Sequence, residues 1–225
     1  MLPKFNFFLK SFVVIATISF ASTVLAQDAK TTKEAANIKY PSKEDLLKIK
    51  DTDFIIGKSN APITIIEYSS LSCSHCANFY TKTLGRIEKE YIDTGKVRFV
   101  FRDFPLNEPA LKAAMLVSCA KPENKTKFTN VLFGTQTNWA ANKNYLEILE
   151  NIAKLGGMKG EDFNKCMKNT IVERNMVESR FFAAKVLDIN ATPTFYINNE
   201  KHDGNIDFAT FSKIIDEKLP KEGKK

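Results

Sequence analysis

The chain has 225 residues, of which 44% are hydrophobic and 26% charged, with a formal net charge of +7. That length is generous for one domain and short for two, and the composition supports an ordinary globular core rather than a disordered or low-complexity chain. The lysines are scattered rather than gathered on one aromatic-rich face, so the positive charge reads as solvated surface and no nucleic-acid partner is expected.

The chain opens with the three-part pattern of an export leader. Lys4 and Lys10 supply positive charge, an uncharged and mainly apolar run covers 11–20, and Val24–Leu25–Ala26 offers small or medium residues at a cleavage point after Ala26. Residues 1–26 are therefore expected to be a signal peptide. The apolar run is shorter than the roughly 20 residues of a spanning helix, which disfavours an uncleaved anchor. The mature chain is expected in the periplasm. Residues 27–50 are polar, Lys-rich and broken by Pro41. They read as a linker with at most one short helix, where Ser42 and Asp45 have capping-box spacing.

Asp53–Ile56 reads as a short strand stopped at Gly57. Pro62–Tyr68 is a stronger strand, because a nearly continuous run of β-branched and aromatic residues suits burial on both faces. Glu67 is the exception within it. Beyond Cys76, residues Phe79, Tyr80, Leu84, Ile87 and Tyr91 recur at helical spacing, with Gly85 as a candidate bend and 93–95 as the stop. The alternating run 96–102 is a further strand. Residues 107–175 are helical almost throughout, broken at Gly156–Gly157. Leu111, Met115 and Cys119 share one helical face, and Phe163, Cys166 and Met167 another. A helix from Met176 to Leu187, a loop at 189–193, a strand at 194–198, a short strand or turn near Gly204 and an amphipathic helix from Phe208 to Leu219 follow. The fold class is α/β, with 51–106 and 176–220 forming the α/β domain and 107–175 an inserted all-helical subdomain.

All four cysteines lie beyond the leader: Cys73, Cys76, Cys119 and Cys166. An even number in an exported chain suggests disulfides. The close pair, in Cys73–Ser74–His75–Cys76, falls where a strand feeds a helix. Thiol–disulfide exchange needs a thiolate, and the first turn of a helix offers unpaired N–H groups and the positive end of the dipole. Both favour anionic sulfur at Cys73. His75 can add a hydrogen bond or positive charge, and Cys76 is close enough to resolve a mixed disulfide. Zinc is disfavoured, since no second C-x-x-C exists and His202 is the only other histidine, read as ordinary surface. No metal and no cofactor are expected. Cys119 and Cys166, each on an apolar face, are expected to form a buried structural disulfide, with buried free thiols as the alternative.

The run from Ala61 to Phe79, containing Ile65–Ile66–Glu67–Tyr68 and the cysteine pair, resembles the active-site segment of DsbA-like thioredoxin-fold proteins. So does Gly95–Leu106, and Ala191–Thr192–Pro193–Thr194–Phe195 resembles the family's cis-proline loop. The resemblance implies a thioredoxin fold over 53–219, with Cys73 as nucleophile and Cys76 as buried resolving thiol. It implies a cis bond at Pro193 facing the cysteines, with Thr192 and Pro193 binding extended substrate. It also implies that Glu67 is a buried acid with a raised pKa, relaying a proton from Cys76. The alternative for Glu67 is a solvated strand-end residue. Ser74 stands where the family's best-known strong oxidant has proline, and Thr192 where it has valine. Both positions tune reduction potential and substrate release.

The expected activity is that of an exported protein-disulfide oxidoreductase donating the Cys73–Cys76 disulfide to folding exported proteins. A membrane-bound or soluble thiol redox partner would recycle it. The alternatives are a disulfide isomerase or reductase, disfavoured because 27–50 is too short for a dimerisation domain, and a non-catalytic module holding unfolded chains.

Overall fold

The computed structural model describes residues 39–220. The leader and its cleavage point after Ala26 lie outside the described residues. The chain divides into two compact units between Tyr40 and Pro41, and the fold below is that of the unit beginning at Pro41.

Ser42 starts the first helix, α1 (Lys43–Leu47), through a reciprocal cap: its hydroxyl accepts the Asp45 N–H at 3.0 Å, and the Asp45 carboxylate accepts the Ser42 N–H at 3.4 Å. The turn so fixed buries Leu46 and Leu47 against Val100 and Tyr196. This is the one short helix, with its Ser42–Asp45 capping box, that was expected within 27–50. The polar composition concealed two adjacent leucines that the cap directs into the core.

Five strands form one sheet: β1 (Phe54–Ile56), β2 (Ile63–Ser69), β3 (Val97–Asp103), β4 (Thr194–Ile197) and β5 (Glu200–Asp203), in the order β1-β3-β2-β4-β5. β2 and β3 run parallel, and the other pairings are antiparallel. Gly57 ends β1 with φ of +99°, where an added Cβ would lie 2.6 Å from the Val97 carbonyl oxygen, so only glycine fits there. Between β2 and β3 the helical run 74–92, α2, is α-helical at Ser74–Phe79 and Gly85–Ile87 and π-helical at Tyr80–Leu84 and Glu88–Ile92. The helix thus widens on both sides of Gly85.

The helical insertion comprises α3 (Glu108–Cys119), α4 (Pro122–Gly134), α5 (Gln136–Trp139), α6 (Tyr145–Leu155) and α7 (Gly160–Met167). Helix α8 (Thr170–Val186) returns the chain, and α9 (Phe208–Lys218) closes it. Asn169 starts α8 by accepting the N–H groups of Ile171 and Val172 at 3.1 and 3.2 Å. The helix runs unbroken across 175/176, where the sequence reading ended the insertion, because that boundary carries no breaker.

Side chains two apart on a strand share a face. Ile63, Ile65, Phe99 and Phe195 therefore meet Phe79 and Ile87 of α2 and Phe211 and Ile215 of α9. On the other face Ile66, Tyr68, Val100 and Tyr196 meet Leu46, Leu47 and Ala183. A third cluster joins Leu71 and Cys76 to Leu116, Phe128, Trp139 and Phe163 of the insertion. The cysteine motif is thus rooted in the helical layer as well as in the sheet.

Candidate active site

β2 ends at Ser69, and a turn closed by the Cys73 N–H on the Ser70 carbonyl oxygen, at 3.0 Å, leads into α2. Cys73 is the residue flanking the first helical turn, extended in backbone, and its carbonyl accepts the Ala77 N–H at 3.0 Å. Its sulfur therefore meets the free amides of the helix start. Cys73 is half-buried, Cys76 is fully buried, and Ser74 and His75 are exposed. The Thr192–Pro193 peptide bond is cis, and the Cys73 thiol donates to the Thr192 carbonyl oxygen at 3.3 Å.

These surroundings drive the two thiols apart. A hydrogen bond from Cys76, together with the Thr192 side chain and the N–H groups of Cys76 and His75, lowers the Cys73 pKa to about 5 against the opposing effect of partial burial. Burial pushes the Cys76 thiol far up, aided by Cys73 and by the charge of Glu67. His75 thus contributes its backbone N–H to the thiolate while its side chain faces solvent.

Glu67 is fully buried on β2, between Phe101 and Phe195 in the sheet register. Among the described residues, neither carboxyl oxygen has a close hydrogen-bond partner. Burial raises its pKa from 4.5 to about 8. The solvated strand-end alternative does not fit this position.

Two further anchors of the motif gave no signal in the sequence. The Gln136 side-chain amide, from α5, donates to the carbonyl oxygens of Leu71 at 2.7 Å and Cys73 at 3.0 Å. The Ser70 hydroxyl accepts the Leu106 N–H at 3.3 Å, tying the motif to the loop after β3. No local pattern marks a glutamine that acts across the insertion. Pro193 is also engaged: its carbonyl accepts the Gly204 N–H at 2.8 Å, which fixes the loop against β5.

Cys119 at the end of α3 and Cys166 in α7 are disulfide-bonded, with Cα atoms 6.1 Å apart. Only Cys166 is buried. Cys119 is exposed, so the expectation of a wholly buried bond is corrected on that side: the helix ends at Cys119 and leaves its outer surface open. His202 lies on edge strand β5 opposite Phe195. Among the described residues, no group of three or more His, Cys, Asp or Glu side chains is arranged to hold a metal ion, and no helix is long and apolar enough to cross a membrane.

The thioredoxin family profile matches residues 50–217. The crystal structure of Wolbachia pipientis alpha-DsbA1 is 35% identical, with a TM-score of 0.73 over 79% of this chain and 95% of that one. BdbD of Bacillus subtilis, at 23% identity and a TM-score of 0.68, covers 80% of this chain and 96% of its own and shares the fold. A Rickettsia conorii protein provisionally named a protein-disulfide oxidoreductase is 31% identical over 79% of this chain and 64% of its own length. The chain thus spans a little under two thirds of the curated relatives it first matches. With its five-stranded sheet, inserted helices, cis-proline loop and helix-start cysteine pair, this chain belongs to the thioredoxin family, among its DsbA-like members.

Proposed function

We propose that the protein is a protein-disulfide oxidoreductase acting in the periplasm, where its Cys73–Cys76 disulfide oxidises folding exported proteins. The observation that carries this reading is the placement of the sulfurs, Cys73 at the open start of α2 beside the Thr192 carbonyl and Cys76 buried behind it, which lowers the first thiol's pKa to about 5 and raises the second's. A low-pKa thiolate is a good leaving group. A substrate thiolate attacks the Cys73 sulfur, and Cys76 departs with the electron pair and takes a proton. A second substrate thiolate then attacks the mixed disulfide, and Cys73 leaves as a stabilised thiolate. The substrate gains a disulfide and the enzyme holds two reduced sulfurs. A stable Cys73 thiolate favours the reduced enzyme, so the net direction is oxidation of substrate rather than its reduction.

Glu67 is the proton donor and acceptor for Cys76, and Thr192 and Pro193 hold the extended substrate beside Cys73. Ser74 and His75 set the potential. The Cys119–Cys166 bond fastens two helices of the insertion. Residues 1–26 direct export, and a thiol redox partner restores the disulfide. The leader pattern and the family together support the periplasmic assignment.

The test is Cys73→Ser, assayed for oxidation of a reduced dithiol peptide. Activity is expected to vanish while the fold, read by circular dichroism, persists. Retained suppression of aggregation, with no peptide oxidation above background in parent or variant, would instead favour a non-catalytic holding module.

A further inference from the structure

A cleft of about 470 Å³ opens beyond the ends of β2 and β3, bounded by α3, α4 and α8. Ser69 and Asp103 are register partners at its sheet wall, two residues beyond the Glu67–Phe101 pair and on the same face. Along this face Glu67 is sealed, Ser69 is half-buried and Asp103 reaches solvent. The Ser69 hydroxyl oxygen is itself buried and, among the described residues, makes no close hydrogen bond, as is true of both Glu67 oxygens. It lies near enough to the Glu67 carboxyl and to the Cys76 thiol to favour the ionised form of each. A hydroxyl both accepts and donates. Ser69 is thus a two-way group set between a buried acid–thiol pair and an open cleft.

We infer that Ser69 is the proton bridge of the site, linking the buried Cys76 and Glu67 to the cleft, where Asp103 exchanges protons with solvent. This rests on the reading of Glu67 as the proton partner of Cys76. When a substrate thiolate opens the Cys73–Cys76 bond, Cys76 leaves as a thiolate, and Glu67 gives it a proton and becomes a carboxylate. The Ser69 hydroxyl then donates its proton to Glu67 and accepts one from the Asp103 carboxyl or from water in the cleft. Asp103 regains its proton from bulk water, so one proton enters for each disulfide opened. Reoxidation runs the same path outward.

The other ionisable groups around the path fit this assignment. Tyr80 of α2 faces Glu67, and burial keeps its phenol protonated. Crowding by the cleft walls raises the Asp103 pKa to about 6, and the charge of Lys125 on α4 opposes that rise. Asp103 therefore exchanges protons in the neutral range. Asp53 and Arg102 also line the cleft but are paired with each other at 2.8 Å. Lys50 and Tyr68 complete the ionisable lining.

The test is the rate at which dithiothreitol opens the Cys73–Cys76 bond in the oxidised full chain, followed by acid quench and mass analysis from pH 5 to 9. Ser69→Ala is expected to slow the reaction about tenfold near neutral pH and flatten its pH profile. Ser69→Thr, which keeps the hydroxyl, restores both. The thiolate absorbance titration of Cys73 in the reduced protein stays unchanged in Ser69→Ala, and Asp103→Asn slows the neutral rate about twofold to threefold. If Glu67→Gln is slow while Ser69→Ala keeps the parent rate and profile, the bridge is wrong and the role of Glu67 survives. If Glu67→Gln itself matches the parent, the underlying reading fails. A Ser69→Ala protein whose Cys73 titration also moves, or which threonine does not rescue, marks Ser69 as merely structural.

Discussion

Two charged residue types are buried in the same sheet, one on each face, and the fold handles them in opposite ways. Arg102 on β3 donates to both Asp53 carboxyl oxygens at 3.1 and 2.8 Å, to the Lys48 carbonyl at 2.6 Å, to the Tyr68 hydroxyl at 3.1 Å and to the Leu46 carbonyl. Its charge is saturated, and those bonds fasten α1 and the segment after it to the sheet. Glu67 on neighbouring β2 has no such partner among the described residues. A buried group denied hydrogen bonds and counter-charge avoids ionisation instead. The same sheet therefore carries one ion committed to structure and one acid held near 8, available to exchange a proton.

The contrast can be broken from the Arg102 side first, where the effect is largest. Arg102→Met leaves Asp53 buried and unpaired, so a loss of about 3–5 kcal/mol is expected in urea denaturation. Disulfide-exchange rates of the molecules that remain folded should be near those of the parent. A loss under about 1 kcal/mol would mean that the network contributes no more than a surface pair.

Glu67→Gln should act with the opposite sign. The folded pKa of Glu67, about 8, lies above the ordinary 4.5, so the unfolded chain releases this proton first as pH rises. The reduced parent should therefore lose stability between about pH 4.5 and 8 from this group, and the glutamine variant should not. At pH 8 the variant is expected to be more stable by about 2–4 kcal/mol, while near pH 4 the two should coincide. Parallel stability curves across this range would show that Glu67 ionises normally. The smallest effect should come from Gln136, which touches neither buried group. Gln136→Ala is expected to cost about 1 kcal/mol and to speed hydrogen exchange in the 71–77 segment without altering the pH slope. An unchanged exchange pattern would remove its anchoring role.

The strand and the helix after it were legible because each is a local pattern, and Glu67 was marked there as the strand's exception, its buried-acid reading coming from the family resemblance. Thr192–Pro193 was legible through its family resemblance. Arg102 was not: alternation in 96–102 reads as one wet face, but α1 and α8 cover that face, and the arginine is buried to 7% exposure. The burial of α1 was hidden for a related reason, since its value lies in two leucines and two carbonyls whose partners stand far along the chain. Gln136, Ser69 and Asp103 share this difficulty. Each is chemically ordinary until the fold sets it against a carbonyl, a carboxyl or a cleft.

Gln136 also bears on how the molecule could be rebuilt. Its single amide holds two carbonyls of the cysteine loop, and Leu71 and Cys76 pack among the side chains of α3, α4 and α5. A shortened chain joining the loop after β3 directly to α8 would bare both carbonyls and uncover the Cys76 sulfur. Grafting a foreign helical layer onto this sheet would meet the same obstacle unless the graft carried an amide to the same spot. The insertion is therefore not an interchangeable cassette, and any exchange between relatives has to carry the helix that holds the cysteine loop.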